Sequence, residues 1–89
     1  MALQDNIEEI PFSKGQIGLT YTVMSYKDTK LASKLLTMGL LPGMPITLVR
    51  KSLLGHTFFV QNQHNFLALR LEEAASIMVT KSYTLEKSA

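Results

Sequence analysis

Two histidines and a group of carboxylates are the side chains of this sequence best suited to chemistry. His56 and His64 flank a short apolar run, and a hairpin there would let them approach each other and, with a carboxylate, hold a divalent ion. No HxxH, HxxE or CxxC spacing supports such a site, so polar surface is the favoured interpretation. Asp5, Glu8 and Glu9 lack the glycine and carbonyl pattern of a calcium loop. We expect no resident cofactor, and at most weak divalent metal binding.

The residue sets that catalysis requires are missing from the sequence. The 89 residues include no cysteine, which excludes a thiolate nucleophile, a thiolate metal site and a disulfide. The phosphate-cradling patterns GxxxxGKS/T and GxGxxG are absent, and no nucleophile with an adjacent base is recognisable. The sequence therefore predicts a protein that is not an enzyme.

Length and composition fit one compact domain in a reduced cytosol. With 46% hydrophobic and 18% charged residues, so short a chain cannot divide its apolar surface between two cores. The acidic start is unlike a signal peptide, and no stretch approaches the ~20 apolar residues of a membrane span. Residues 14–70 carry seven Lys or Arg against the single acid Asp28. This balance permits weak attraction to an acidic protein face or to nucleic acid.

The pattern of apolar residues predicts about five short strands. The first covers residues 15–24 and places Ile17, Leu19, Tyr21 and Val23 on one face. Residues 46–51, 57–61 and 66–70 form further extended runs joined by hairpins, and residues 77–79 complete the sheet. So many short strands in a small chain favour a strongly bent barrel closed on itself. The predicted fold is mainly β, a small SH3-like barrel.

Two short helices complete the prediction. Asp28 or Thr29 caps the first, which turns an apolar stripe of Leu31, Leu35 and Met38 to the core. Gly39 ends this helix in a left-handed conformation, with Leu40 folding back on the last turn. Residues 41–44 suit a type II turn, and residues 71–76 make a single helical turn with acids at its start.

The segment LLTMGLLPG, residues 35–43, resembles the LLEMGLTPG signature of the FeoA family, small cytosolic proteins of bacterial ferrous iron uptake. The likeness continues through residues 46–51, 54–55, 67–70 and 72–77. It implies an SH3-like fold and an action on the membrane transporter FeoB, which carries a cytoplasmic GTPase domain. In this signature segment the structural motif consists of Met38, Gly39, Leu40, Pro42 and Gly43.

The resemblance also sets domain bounds. Residues 10–80 form the FeoA-like barrel, residues 1–9 a partly ordered N-terminal segment, and residues 81–89 a flexible tail. Two loops depart from the family pattern, since its LGDP is here LGHT and its RGY is QHN. The second change removes a glycine at position 64, and Asn65 then becomes the expected left-handed residue.

The residues best suited to protein recognition lie on the predicted hairpin of residues 46–61. Alternation along the second strand makes Phe59 an exposed aromatic. Leu53 and Leu54 lie beside a glycine in the loop, where they either cap the barrel or project outward. Two cations add charge complementarity to an acidic face. The predicted contact set is Leu53, Leu54, Gly55, Phe59, Arg50 and Lys51.

We expect a non-enzymatic accessory protein, cytoplasmic and peripheral to the inner membrane, that docks on a FeoB-type transporter through the GTPase or membrane portion without inserting into the bilayer. Two alternatives stay open. One is a metal-sensing regulator related to the SH3-like domain of iron-dependent repressors, which carry this signature too. The other is a nucleic-acid-binding barrel, disfavoured by the low net charge, that would use Phe59, Phe66, Arg50, Lys51 and Arg70. The sequence leaves weak self-association open.

Overall fold

One antiparallel sheet organises the computed structural model, which describes residues 8–63 and 65–81. The strand order is β1-β6-β2-β3-β4-β5. The strands are β1 (Ile10–Pro11), β2 (Thr20–Tyr26), β3 (Pro45–Lys51), β4 (Thr57–Asn62), β5 (Asn65–Arg70) and β6 (Ile77–Lys81). The helices are α1 (Thr29–Thr37), α2 (Leu71–Ser76) and a 3-10 turn at Phe12–Lys14. The predicted mainly β, SH3-like architecture with two short α-helices is confirmed.

The start of the sheet differs from the prediction. A sixth strand, β1, was missed because two residues that include a proline carry no periodic signal. The strand β2 begins at Thr20 rather than at residue 15, since Gly18 takes a φ of +93° in the preceding turn. Ile17 is 57% exposed as a result. Of the predicted termini, residues 1–7 and 82–89 lie outside the described part of the chain.

The core is built from the inward residues of β2 to β6, which alternate with outward ones as the pleat requires. The α1 stripe faces this core as predicted, with Leu35 buried and both Leu31 and Met38 half-buried against it. The ring of Phe12 meets the ring of Tyr21 edge to face, with centroids 6.0 Å apart. The buried hydrophobic side chains are Phe12, Tyr21, Val23, Leu35, Leu40, Ile46, Leu48, Phe58, Val60, Leu69, Ala74, Ile77 and Val79.

The start of α1 is fixed by two side chains. The carboxylate of Asp28, the predicted cap, accepts a hydrogen bond from the Lys30 backbone N–H at 2.8 Å. The backbone N–H of Asp28 in turn donates to the buried Ser76 hydroxyl at 3.0 Å. Because Ser76 ends α2, this bond ties the two helices together.

An ion pair between a buried carboxylate and an exposed lysine makes the second tie between the helices. Glu73 is 3% exposed, accepts the Arg70 backbone N–H at 2.8 Å and pairs with the Lys34 ammonium of α1. Burial acts to raise the pKa of Glu73. The hydrogen bonds from Lys34 and from the Arg70 backbone, together with both positive charges, outweigh burial and lower this pKa.

The lowered pKa predicts a pH-dependent stability. Above the ordinary glutamate pKa of about 4.3 the stabilisation by Glu73 is complete, and it is lost as the pH falls through the lower folded-state pKa. The Glu73→Gln variant retains an oxygen for the Arg70 N–H but cannot titrate. The free energy of unfolding, measured with urea between about pH 5 and pH 3, should therefore fall less steeply with pH for Glu73→Gln than for wild type. Equal slopes would contradict this assignment.

Candidate protein-binding surface

The signature segment forms the corner between α1 and β3. Gly39 has a φ of +86°, and its N–H donates to the Leu36 carbonyl at 3.0 Å. The N–H of Leu40 donates to the Leu35 carbonyl at 3.1 Å. These two bonds are the Schellman motif that ends α1, as the sequence predicts. Leu40 is thereby buried in the core.

The following type II turn is also as predicted. The N–H of Met44 donates to the Leu41 carbonyl at 3.0 Å across Pro42 and Gly43, and Gly43 has a φ of +92°. Val23 of β2 bonds to both sides of this turn, accepting from Gly43 at 2.7 Å and donating to the Met44 carbonyl at 2.9 Å. The motif is therefore structural, and it aligns the start of β3 with β2.

Two side chains from the sheet satisfy the carbonyls at this corner. The Tyr26 hydroxyl of β2 donates to the Leu40 carbonyl, and burial raises the pKa of Tyr26, which keeps its proton in place. The Asn62 amide of β4 donates to the Gly39 carbonyl at 3.0 Å. The sequence does not reveal these contacts, because each partner lies many residues away.

The loop between β3 and β4 is a tight turn that presents two leucines to solvent. Its ends are held by bonds from the Ser52 N–H to the Thr57 carbonyl at 2.8 Å and from the Thr57 N–H to the Ser52 hydroxyl at 3.0 Å. The Gly55 N–H closes the turn on the Ser52 carbonyl at 2.9 Å. Leu53 is 99% exposed and Leu54 is 77% exposed. Neither caps the barrel, and we call this pair the leucine tip.

The other predicted contact residues lie on the strands behind the tip. A β-bulge after Leu48 places Arg50 opposite Phe59, and the Arg50 guanidinium lies 4.2 Å from the centre of the Phe59 ring. Phe59 is thus half-buried rather than freely exposed. The Lys51 ammonium lies 5.3 Å from the ring centre of the buried Phe58. The predicted set therefore divides between the tip and the strands.

Phe66 is the most exposed aromatic side chain of the described residues, at 71%. From the sequence it is proposed only for nucleic-acid stacking, although alternation with the inward Leu69 already points it outward. It lies beside a shallow groove of about 360 Å³, which we call the outer groove. This groove is lined by Val49, Arg50, Phe59, Phe66, Leu67 and Ala68.

Of the candidate metal ligands, His56, Glu8 and Glu9 lie within the described residues, and all three are exposed. His56 lies in the loop before β4. His64 and Asp5 lie outside the described residues. Within residues 8–63 and 65–81, no three His, Asp or Glu side chains cluster as metal ligands would.

The turn between β4 and β5 is rebuilt differently from the prediction. Gln63 takes the left-handed conformation, with a φ of +57°, whereas Asn65 opens β5 and pairs with Asn62. The Gln61 side-chain amide donates to the Gln63 carbonyl at 3.1 Å and supports the turn.

These features define a small SH3-like barrel whose exposed apolar groups are suited to binding. The sequence family model of the FeoA domain matches residues 11–81. The chain therefore belongs to the FeoA family. No curated protein matches the sequence. No helix in the described ranges is long and apolar enough to cross a membrane.

Solved structures share the fold. A FeoA-like protein from Clostridium acetobutylicum is 23% identical, with 86% of this chain and 91% of that chain covered and a TM-score of 0.80. An iron uptake regulatory protein (FeoA) is 24% identical, with 84% and 99% covered and a TM-score of 0.73. A manganese-dependent transcriptional repressor is 14% identical, with 86% and 44% covered and a TM-score of 0.77. At these identities the likeness shows a common fold alone.

The corner at Gly39 generates a stability prediction. Gly39→Ala and Gly43→Ala both place a Cβ at positive φ, and each should lower the free energy of unfolding by about 1–2 kcal/mol. A Cβ at position 39 also lies 3.3 Å from the Asn62 amide nitrogen, whereas position 43 is open. Gly39→Ala should therefore lower the free energy of unfolding by about 1 kcal/mol more than Gly43→Ala does.

Denaturant unfolding of the two single variants, repeated in an Asn62→Ala background, isolates the crowding. The extra cost of Gly39→Ala should disappear in that background. If it persists, Asn62 is not its cause.

Proposed function

We propose that this protein is a non-enzymatic accessory of ferrous iron uptake that docks on the cytoplasmic part of a FeoB-type transporter. Membership of the FeoA family supports the role in iron uptake. The observation that carries the docking proposal is the leucine tip, in which Leu53 is 99% exposed and Leu54 is 77% exposed. Docking would act on the assembly or activity of the transporter through protein contacts.

Burial of the leucine tip supplies a driving force for docking. Taking one exposed leucine side chain fully out of water is worth about 1.5–3 kcal/mol. The bonds between Ser52 and Thr57, together with the turn closed by Gly55, already fix the backbone of the tip. A preorganised tip loses little conformational entropy on binding, so more of this energy reaches the affinity.

The charges around the tip specify the complementary surface. Residues 45–70 contain Arg50, Lys51 and Arg70 and no Asp or Glu. Arg70 pairs with Thr57 at the base of the loop, and Lys51 ends the strand that enters it. The partner chemistry that fits is an apolar pocket with an acidic rim, because opposite charges at the rim steer association.

The test is calorimetric titration of the protein against the soluble cytoplasmic domain of its own organism's transporter, with GDP and with a GTP analogue. Leu54→Asp should weaken binding at least about tenfold, since the loss of one buried leucine is worth more than 1.4 kcal/mol. Leu36→Asp is the matched control, because Leu36 is an exposed leucine on α1. It should bind as wild type does.

Circular dichroism must show both variants folded. Equal binding by wild type and Leu54→Asp would remove the leucine tip as the docking site. Absence of wild-type binding with either nucleotide would overturn docking on the GTPase domain.

Single-stranded nucleic-acid binding is a second candidate, and one observation favours it: Arg50, Phe59 and Phe66 line the same groove. Bases stack on such aromatic rings while cations contact the backbone. If this function holds, a labelled oligonucleotide of about twelve residues should bind with an affinity that falls linearly with log salt. Phe66→Ala should weaken binding about tenfold. Unchanged fluorescence anisotropy at low salt would exclude it.

A further inference from the structure

The two outer strands of the sheet are protected unequally. The strand β1 has only two residues, one of them Pro11. The strand β5 has six residues and contains neither proline nor lysine. Short strands, prolines and charges are the usual protection of a sheet edge against pairing with another strand. Within the described residues β5 pairs only with β4, and in that part of the chain its other side is an open edge.

The register of the β4–β5 hairpin shows which backbone groups point away from β4. Asn62 pairs with Asn65 across a two-residue connection, and such a flanking pair exchanges both of its backbone bonds. The same bonding then recurs at every second residue, at Leu67 and Leu69. The N–H and C=O groups of Phe66 and Ala68 therefore face outward from the edge, without partners among the described residues.

The side chains at this edge are self-complementary. Phe66 projects from the outer face of β5 at 71% exposure. Ala68, two residues along on the same face, is small and exposed and forms part of the outer groove. One strand thus carries both a protruding ring and a space beside a small residue.

We propose that β5 pairs with β5 of a second copy, antiparallel, about a two-fold axis at Leu67. In this register Phe66 of each copy lies opposite Ala68 of the other, and each pair exchanges both backbone hydrogen bonds. The ring of each Phe66 enters the space over the facing Ala68, beside Phe59. The two Leu67 residues face each other at the axis as a non-hydrogen-bonded pair, the kind of pair in which side chains approach most closely. The result is a continuous sheet through both copies.

Size complementarity, with no charge repulsion to oppose it, selects a second copy as the occupant. The large ring and the small residue exchange places across the axis, which an arbitrary strand would not match. Arg70 is the only charge on β5, and the antiparallel register puts the two arginines at opposite ends of the interface. A strand-to-strand contact of this length buries less than the ~1,200 Å² of a standard interface. The dimer should accordingly be weak, with a Kd of about 10 μM to 1 mM.

The proposal is independent of transporter docking, because the leucine tip lies on the β3–β4 loop and stays free in the dimer. Sedimentation velocity of the purified wild type should show the sedimentation coefficient rising from the monomer to the dimer value between about 10 μM and 1 mM. Hydrogen exchange followed by NMR should show the amide protons of Phe66 and Ala68 exchanging more slowly as concentration rises.

Two variants identify the interface. Ala68→Pro removes an outward N–H without removing any bond to β4, and Phe66→Thr removes the protruding ring while keeping a strand-forming residue. Each should raise the Kd at least tenfold while circular dichroism shows the monomer fold intact. Leu53→Asp, which removes an exposed leucine elsewhere, should leave the Kd unchanged.

Monomeric wild type over the whole range would overturn the proposal and leave β5 open to a strand of another protein. A concentration-dependent dimer that leaves Phe66 and Ala68 unprotected, or that both interface variants still form, would also overturn it.

Discussion

The end of α1 is the constraint on which the rest of the barrel depends. Just beyond the helix Gly39 is half-buried and Leu40 is buried, so their carbonyls need hydrogen-bond donors from the protein. The Tyr26 hydroxyl and the Asn62 amide provide them for Leu40 and Gly39. These donors come from β2 and β4, on either side of β3, so one corner fixes a helix and the middle of the sheet together. The position of β4 then fixes the hairpin that carries the leucine tip.

Elements with local signals could be predicted from the sequence. The cap at Asp28, the left-handed Gly39 and the turn after Leu41 depend on neighbours a few residues away, and the structure has them as the sequence indicates. The start of β2 depends on a distant contact, since the Gly18 N–H donates to the Leu48 carbonyl at 2.7 Å. A pattern of alternating apolar residues contains no information on that bond, so the strand was predicted to begin too early.

The candidate surface was predictable in its residue types but not in its exposure. Leu53 and Leu54 stand out in the sequence, yet their direction is set by the closure of the loop between Ser52 and Thr57. Phe59 was predicted on the correct face of β4. Its cover comes from Arg50, which faces it only because a bulge shifts the register of β3. The register between two strands depends on tertiary contacts, and here it determines how far Phe59 is exposed.

The separation of the leucine tip from the core has a consequence for how this chain can diverge. A side chain that is 99% exposed contributes almost nothing to folding, and substitutions at such positions change stability little. Single substitutions at Leu53 or Leu54 should therefore leave the protein folded. The corner at Gly39 has no such freedom. Substitutions should therefore accumulate more readily at the exposed leucine tip than at this corner.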